Sequence, residues 1–229
     1  MKADITLRPI AHIRTDFPTK FGVPRQSGIV QTEAKIVFLP EYRNPDALRG
    51  LEDFSHLWLI WHFSCNDTSE KFCPTVRPPR LGGNKKVGVF ATRSPFRPNP
   101  LGLSCVEIKK IEHSTEQGPV IHVVGADLVD STPIYDIKPY IPYTDSRPDA
   151  LGGFSEDVRH YRLEVNIDEK TLNIFPEEKR EALLEILAGD PRPSYHTDPE
   201  RIYGFLFAGH EIKFTVADGL LSVKEIIKI

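Results

Sequence analysis

The chain has 229 residues, enough for one sizeable domain or for one domain with a small appendage. Its hydrophobic share of 40% and charged share of 27% are those of an ordinary globular protein, and no apolar run approaches the roughly 18 residues of a membrane-spanning helix. A net charge of −3 gives no global support for binding a polyanion, and three cysteines, an odd number, argue against a disulfide framework and for a reducing, cytoplasmic setting.

Taken in order, Met1 to Ile10 mixes Lys2, Asp4 and Arg8 with single apolar residues, unlike a signal peptide, and Ile5 to Arg14 reads as a strand of mixed alternation. The loop PTKFGVPRQSG, punctuated by Gly22, Pro24 and Gly28, leads to a second strand over Ile29 to Leu39. Leu48 to Leu51 reads as a helical turn. Phe54 to Phe63 (FSHLWLIWHF) is the most apolar run and predicts a strand buried on both faces. Further strands are expected over Val87–Thr92, Leu103–Glu112, Val120–Val129 and Ile134–Ile141. Short strands separated by turn signals, with almost no helix, predict a closed or nearly closed β-barrel.

The stretch TDSRPDALGGFSED then changes the composition and reads as a linker. Beyond it a strand is expected over Tyr161–Ile167, a helix over Pro176–Ala188 and strands over Ile202–Phe207, Glu211–Val216 and Leu220–Ile227, the last two joined by a hairpin turn at Asp218-Gly219. The reading is therefore mainly β: a barrel over residues 1–145, a linker over 146–158 and a small α+β domain over 159–229. Residues 1–150 carry 19 basic and 17 acidic side chains and residues 151–229 carry 10 and 15, so a polyanion would meet the first part.

Several chemistries are excluded by what is missing. No glycine-rich phosphate loop, GxGxxG or GxSxG is present, so a Rossmann-type nucleotide site and an α/β-hydrolase elbow are out. The histidines and cysteines lack metal-ligand spacing, and no metal is expected.

Four segments hold candidate functional residues. In Val23–Gly28, Arg25 and Gln26 suit a carboxylate and an amide or base edge. The stretch after Pro74 holds Arg77, Arg80, Lys85, Lys86, Arg93 and Arg97 with no carboxylate before Glu107, and its prolines forbid a helix. In DLVDSTPIYDIKPYIP, Asp127, Asp130 and Asp136 share a neighbourhood with Lys138 and Tyr140, and alternation turns Asp136, Lys138 and Tyr140 to one side. The loop GDPRPSYH offers Arg192 and Tyr195.

The motifs VPRQSG, LRGLEDFSHLWLI, PTVRPPRLGG, GVFATRSPFRPNPLGLS and DLVDSTPIYDIKPYIPY, in this order, resemble the TsaA/TrmO family over about residues 5–145, and DPRPSYH resembles that family's C-terminal signature. The resemblance implies a β-barrel methyltransferase without a Rossmann fold that uses S-adenosylmethionine as a homodimer and methylates the exocyclic nitrogen of threonylcarbamoyladenosine beside the tRNA anticodon. Carried over by position, it implies cofactor contacts from Pro24, Arg25, Gln26, Ser64, Cys65, Arg93, Leu103 and the turn Asp130, Ser131, Thr132 and Pro133.

With that chemistry, Asp136 or Tyr140, with Lys138 beside them, is expected to help remove the acceptor's proton. Arg77, Arg80, Lys85, Lys86 and Arg97 are expected to meet tRNA phosphates, and Arg192 and Tyr195 to position the anticodon loop. Deleting residues 151–229 would then end methylation while sparing cofactor binding. The competing readings are a non-catalytic S-adenosylmethionine-binding regulator and a plain RNA-binding barrel.

Overall fold

The computed structural model describes residues 5–66, 72–78, 85–192, 196 and 198–229. Its strands are β1 (Ala11–Arg14), β2 (Glu33–Phe38), β3 (His56–His62), β4 (Thr75–Val76), β5 (Val87–Gly88), β6 (Leu101–Glu112), β7 (Val120–Val124), β8 (Pro133–Pro139), β9 (Glu164–Asn166), β10 (Tyr203–Phe207), β11 (His210–Ala217) and β12 (Leu220–Lys228). Six of them close a barrel in the order β1-β2-β7-β6-β3-β8, with β8 returning to β1 through Ala11 opposite Ile134. Closure removes the edges that an open antiparallel sheet would expose.

Alternation decides what fills the barrel. Ile13, Ile36, Leu57, Leu59, Ile121, Val123 and Ile134 point inward and are buried at 0% exposure. The apolar run of β3 differs from its sequence expectation. Leu57, Leu59 and Trp61 face the core, whereas His56, Trp58, Ile60 and His62 are only half-buried on the outer face. The outer side carries two histidines beside Trp58 and Ile60, and among the described residues no second layer buries it.

The C-terminal unit is a four-stranded sheet, β10-β11-β12-β9, in which β9 runs parallel to β12. The turn between β11 and β12 places Asp218 at φ 49° and Gly219 at φ 81°, the left-handed pair that two-residue hairpins require. The expected helix is continuous over Arg180–Ala188, preceded by a 3-10 turn at Glu177–Lys179. Its buried Ala182, Leu183, Ile186 and Leu187 share a core with Phe205, Phe207, Ile212 and Phe214 of the sheet.

This second core also takes in residues from far upstream. Phe17 and Val30, from the connection between β1 and β2, are buried in it, and Phe21 and Val23 pack against it. The Phe17 ring stacks on Phe207 at 4.9 Å. Gly22 lies so close to Phe205 that a Cβ would sit 2.3 Å from the ring, and its φ of 96° is itself a glycine conformation. The loop carrying VPRQSG is thus held by the C-terminal unit, across the boundary that composition suggested.

Candidate functional site

A cavity of about 540 Å³ opens where five segments meet: Val23–Gln26, the end of β3 with residues 63–66, Arg93–Arg97, Leu101–Leu103 at the start of β6, and Asp127–Thr132. It brings together Pro24, Arg25, Gln26, Ser64, Cys65, Arg93, Leu103 and Thr132 of the expected cofactor contacts.

Each wall has a local reason for its shape. Lys20 Nζ donates to the Cys65 carbonyl at 2.6 Å and ties the first loop to the end of β3. Gln26 Oε1 accepts from the Arg93 guanidinium, joining the loop to the proline-rich segment. In that segment Thr92 Oγ1 donates to the Val89 carbonyl at 2.8 Å and the Ser94 amide donates to Thr92 Oγ1 at 3.2 Å. The prolines stiffen an already hydrogen-bonded turn. Gly102 lines the cavity because the Trp61 indole lies against it, and a Cβ there would meet the ring at 2.2 Å.

Behind Gly102 runs a buried polar chain. Trp61 Nε1 donates to Ser104 Oγ at 2.9 Å, and Ser104 Oγ donates to Asp127 Oδ1 at 2.5 Å. Asp127 borders the cavity, and burial pushes its carboxyl pKa up; the Ser104 hydrogen bond, its own amide, the Arg93 cation and the Ser27 amide oppose that rise. The sequence reading noted Asp127 only as one of three neighbouring carboxylates. Strand alternation along β6, which turns Gly102 and Ser104 inward together, is the signal that points to it.

Other expected residues are placed differently. Asp130 builds a turn: its Oδ1 accepts the Thr15 amide at 3.0 Å, its Oδ2 accepts Ser131 Oγ at 2.8 Å, and Arg14 pairs with it at 3.4 Å. Ser131 stands at φ 63° within that turn. Of Asp130, Ser131, Thr132 and Pro133, Thr132 is the one that lines the cavity. Asp130 is therefore engaged within the protein and is not among the residues that line this cavity.

Asp136, Lys138 and Tyr140 do not enter the cavity either. Asp136 and Lys138 form an exposed ion pair at 3.0 Å, and the Tyr140 ring lies 5.8 Å from that of Trp58 on the outer face. Ile60 pairs with Leu103 on one side and Asp136 on the other, so the three form one row across β6, β3 and β8. Two strand spacings put Asp136 roughly 10 Å from the Leu103 rim.

Among the expected RNA contacts, Arg77, Lys85 and Lys86 are exposed. Arg97 is turned to the cavity wall, and its Nη2 donates to the Thr92 carbonyl at 3.3 Å. Arg192 is a brace instead of a surface cation: Nε pairs with buried Asp190 at 3.1 Å, and the side chain is 16% exposed. Arg80 and Tyr195 lie outside the described residues. Among the described residues, no group of three His, Cys, Asp or Glu side chains is arranged to hold a metal, and no helix is long and apolar enough to cross a membrane.

Comparison with known proteins gives a consistent result across the chain. The family model for the tRNA-methyltransferase O N-terminal domain matches residues 12–146, and that for the TrmO C-terminal domain matches residues 160–229. A tRNA (adenine(37)-N6)-methyltransferase of Escherichia coli K12 is 40% identical over 224 residues, covering 93% of this chain and 94% of that protein. A protein of the same name from Eikenella corrodens is 43% identical over 77% of this chain and 98% of its own. A "Probable S-adenosyl-L-methionine-binding protein" of Methanothermobacter thermautotrophicus is 37% identical over 62% of this chain and 95% of its own. A crystal structure of TrmO from P. aeruginosa superposes with a TM-score of 0.79 at 29% identity, covering 100% of this chain and 99% of that one.

Proposed function

The chain belongs to the tRNA-methyltransferase O family, and from that premise we propose that it transfers a methyl group from S-adenosylmethionine to the exocyclic nitrogen of adenine 37 in tRNA, on a base already carrying a threonylcarbamoyl group. The observation that carries this reading is the cavity itself. Its 540 Å³ falls within the size range of small-molecule sites, and its lining matches the parts of the methyl donor. Arg25, Arg93 and Arg97 suit a carboxylate, and Val23, Pro24, Trp61, Phe63, Leu101 and Leu103 suit a flat base. The cofactor, when bound, supplies a methyl group on a sulfonium.

The chain's own contribution is positioning and proton handling. The acceptor nitrogen is conjugated to both purine and carbamoyl, so a base must take its proton. Asp127 is the carboxylate that this chain turns toward its own cavity, and a raised pKa moves it toward the range where a carboxylate accepts a proton usefully. Asp136, Lys138 and Tyr140 would contribute in a homodimer: they stand on the outer face, across β3 from Leu103, where a partner subunit's cavity would meet them.

The outer face supports that homodimer. Leu103 is 55% exposed in a row with Ile60, next to Trp58, and a large exposed leucine at a cavity rim is what a second subunit would cover. Exposed Arg77, Lys85 and Lys86 supply an electrostatic track for the RNA backbone, and a tRNA substrate fits work in the cytoplasm. Mass spectrometry of tRNA nucleosides from a strain lacking this protein tests the whole reading. The methylated threonylcarbamoyladenosine should vanish; its persistence at the normal level would sink the proposal.

A further inference from the structure

Next to the cavity a short β-ribbon carries aromatic rings at one end and cations at the other. β4 and β5 pair Thr75 with Gly88 and Val76 with Val87, and the Val89 amide donates to the Pro74 carbonyl at 2.9 Å. Phe72 and Phe90 therefore leave the ribbon at the same end. Their rings stack with centroids 6.3 Å apart and planes 24° from parallel, yet they remain 54% and 74% exposed. At the other end Arg77 follows Val76 and Lys86 precedes Val87, the last pair of the ribbon, with Lys85 beside Lys86, and all three cations are exposed. No carboxylate occurs from Phe72 to Val106.

The fold gives no reason for this arrangement. Two phenyl rings in mutual contact but open to water cover little of the core, and phenylalanine has no polar tip to satisfy at a surface. A flat, apolar platform accepts another flat, apolar face. Cations with no acidic neighbours nearby along the chain favour a polyanion as the thing that brings that face. Stacking platform and cation track together are what binding of unpaired nucleotides requires. A second copy of this chain fits less well, because a two-fold contact through the ribbon would bring Arg77, Lys85 and Lys86 against their own copies.

Resting on the tRNA reading above, we propose that Phe72 and Phe90 are a stacking platform for unpaired bases of the anticodon loop, while Arg77, Lys85 and Lys86 follow the adjoining phosphates. The platform is continuous in sequence with the cavity wall: Phe90 ends the ribbon, and Arg93, Pro95 and Arg97 line the cavity a few residues on. Bases held on the rings would leave the neighbouring adenine free to reach the cavity. Because every base has a flat face, the platform needs no particular sequence on that side of the target.

The test is fluorescence anisotropy of the full-length protein with a labelled anticodon stem-loop RNA, without cofactor. Alanine at Phe90 or Phe72 should weaken binding about 10- to 100-fold, as loss of one stacked base does, and leave the salt dependence intact. Phe90→Trp should restore affinity, and Phe90→Leu, which keeps apolar bulk without a ring, should not. Lys86→Gln should instead flatten the salt dependence. Unchanged RNA affinity in Phe90→Ala would overturn the platform and leave the methyltransferase reading standing. Failure of the unaltered protein to bind the RNA would overturn both. Conversion of a dimer to a monomer by Phe90→Ala, with RNA affinity retained, would assign the rings to a second copy.

Discussion

Arg25 donates from Nη2 to the main-chain carbonyl of Asp190 at 2.8 Å, across 165 residues of sequence. Asp190 is buried at 1% exposure, stands at φ 54°, and accepts Arg192 Nε at 3.1 Å and the Tyr161 hydroxyl at 3.0 Å. One wall of the cavity is therefore braced on the C-terminal unit. Together with the Phe17–Phe207 stack, this makes that unit a support of the loop that lines the cavity.

A chain ending at residue 150 should lose cofactor binding along with methylation, contrary to the expectation from sequence that binding would be spared. Arg25→Ala in the full chain should weaken S-adenosylmethionine binding at least about tenfold, since one charge-assisted contact is worth about 1.5–3 kcal/mol. Calorimetric titration measures both. A truncated chain that binds cofactor as tightly as the full one would show that the brace is dispensable.

The same loop gives a paired stability test. Gly22→Ala must both adopt a left-handed backbone and push a Cβ into the Phe205 ring, whereas Gly28, at φ 75°, has nothing within 4 Å of its added Cβ. Strain of about 1–2 kcal/mol applies to both, and overpacking adds about 1–3 kcal/mol at Gly22 alone. Urea unfolding should place Gly22→Ala well below Gly28→Ala. Equal losses would mean that Phe205 swings aside without cost.

Asp127 predicts a pH signature. Its folded pKa is raised by burial above the unfolded value, so its stabilising contribution is present in the protonated form below the unfolded pKa and is lost as pH rises through the folded pKa. Asp127→Asn keeps an acceptor for Ser104 Oγ and removes that loss. The variant's melting temperature, relative to the unaltered protein, should therefore climb as the pH rises above the ordinary carboxylate range of about 4. A difference that falls with pH would mean that Arg93 holds the carboxylate charged.

What the sequence made legible follows from periodicity and punctuation. Alternation in Leu103–Glu112 and Val120–Val129 and the Asp218-Gly219 turn announced β6, β7 and the last hairpin, since each is a local property, although β7 ends at Val124. The resemblance of VPRQSG and GVFATRSPFRPNPLGLS to family motifs announced two cavity walls. Periodicity could not tell that Phe54 to Phe63 is covered on one face only, because apolar residues occur on both faces whether the second cover is the chain itself or a partner. Nor could it tell that Arg192 turns inward. A cation's direction depends on a buried carboxylate two residues away whose own burial is set by tertiary packing.

The outer row of Leu103, Ile60 and Asp136 yields the most decisive test, because it separates two assignments of the catalytic carboxylate. Leu103→Glu should leave a monomer in sedimentation and lose cofactor binding with it, since Leu103 is both 55% exposed on that face and part of the cavity rim. In the proposed dimer, Arg93 serves its own cavity and Asp136 serves the partner's. Arg93→Ala and Asp136→Ala, each inactive alone, should then recover about a quarter of full activity when subunits are mixed equally and exchanged, because half of the dimers pair unlike subunits and each such pair assembles one intact site. If Asp136 acts within its own subunit, no mixed dimer holds an intact site and no activity returns. If Asp136→Ala alone is fully active, Asp127 remains as the proton acceptor that the cavity itself provides.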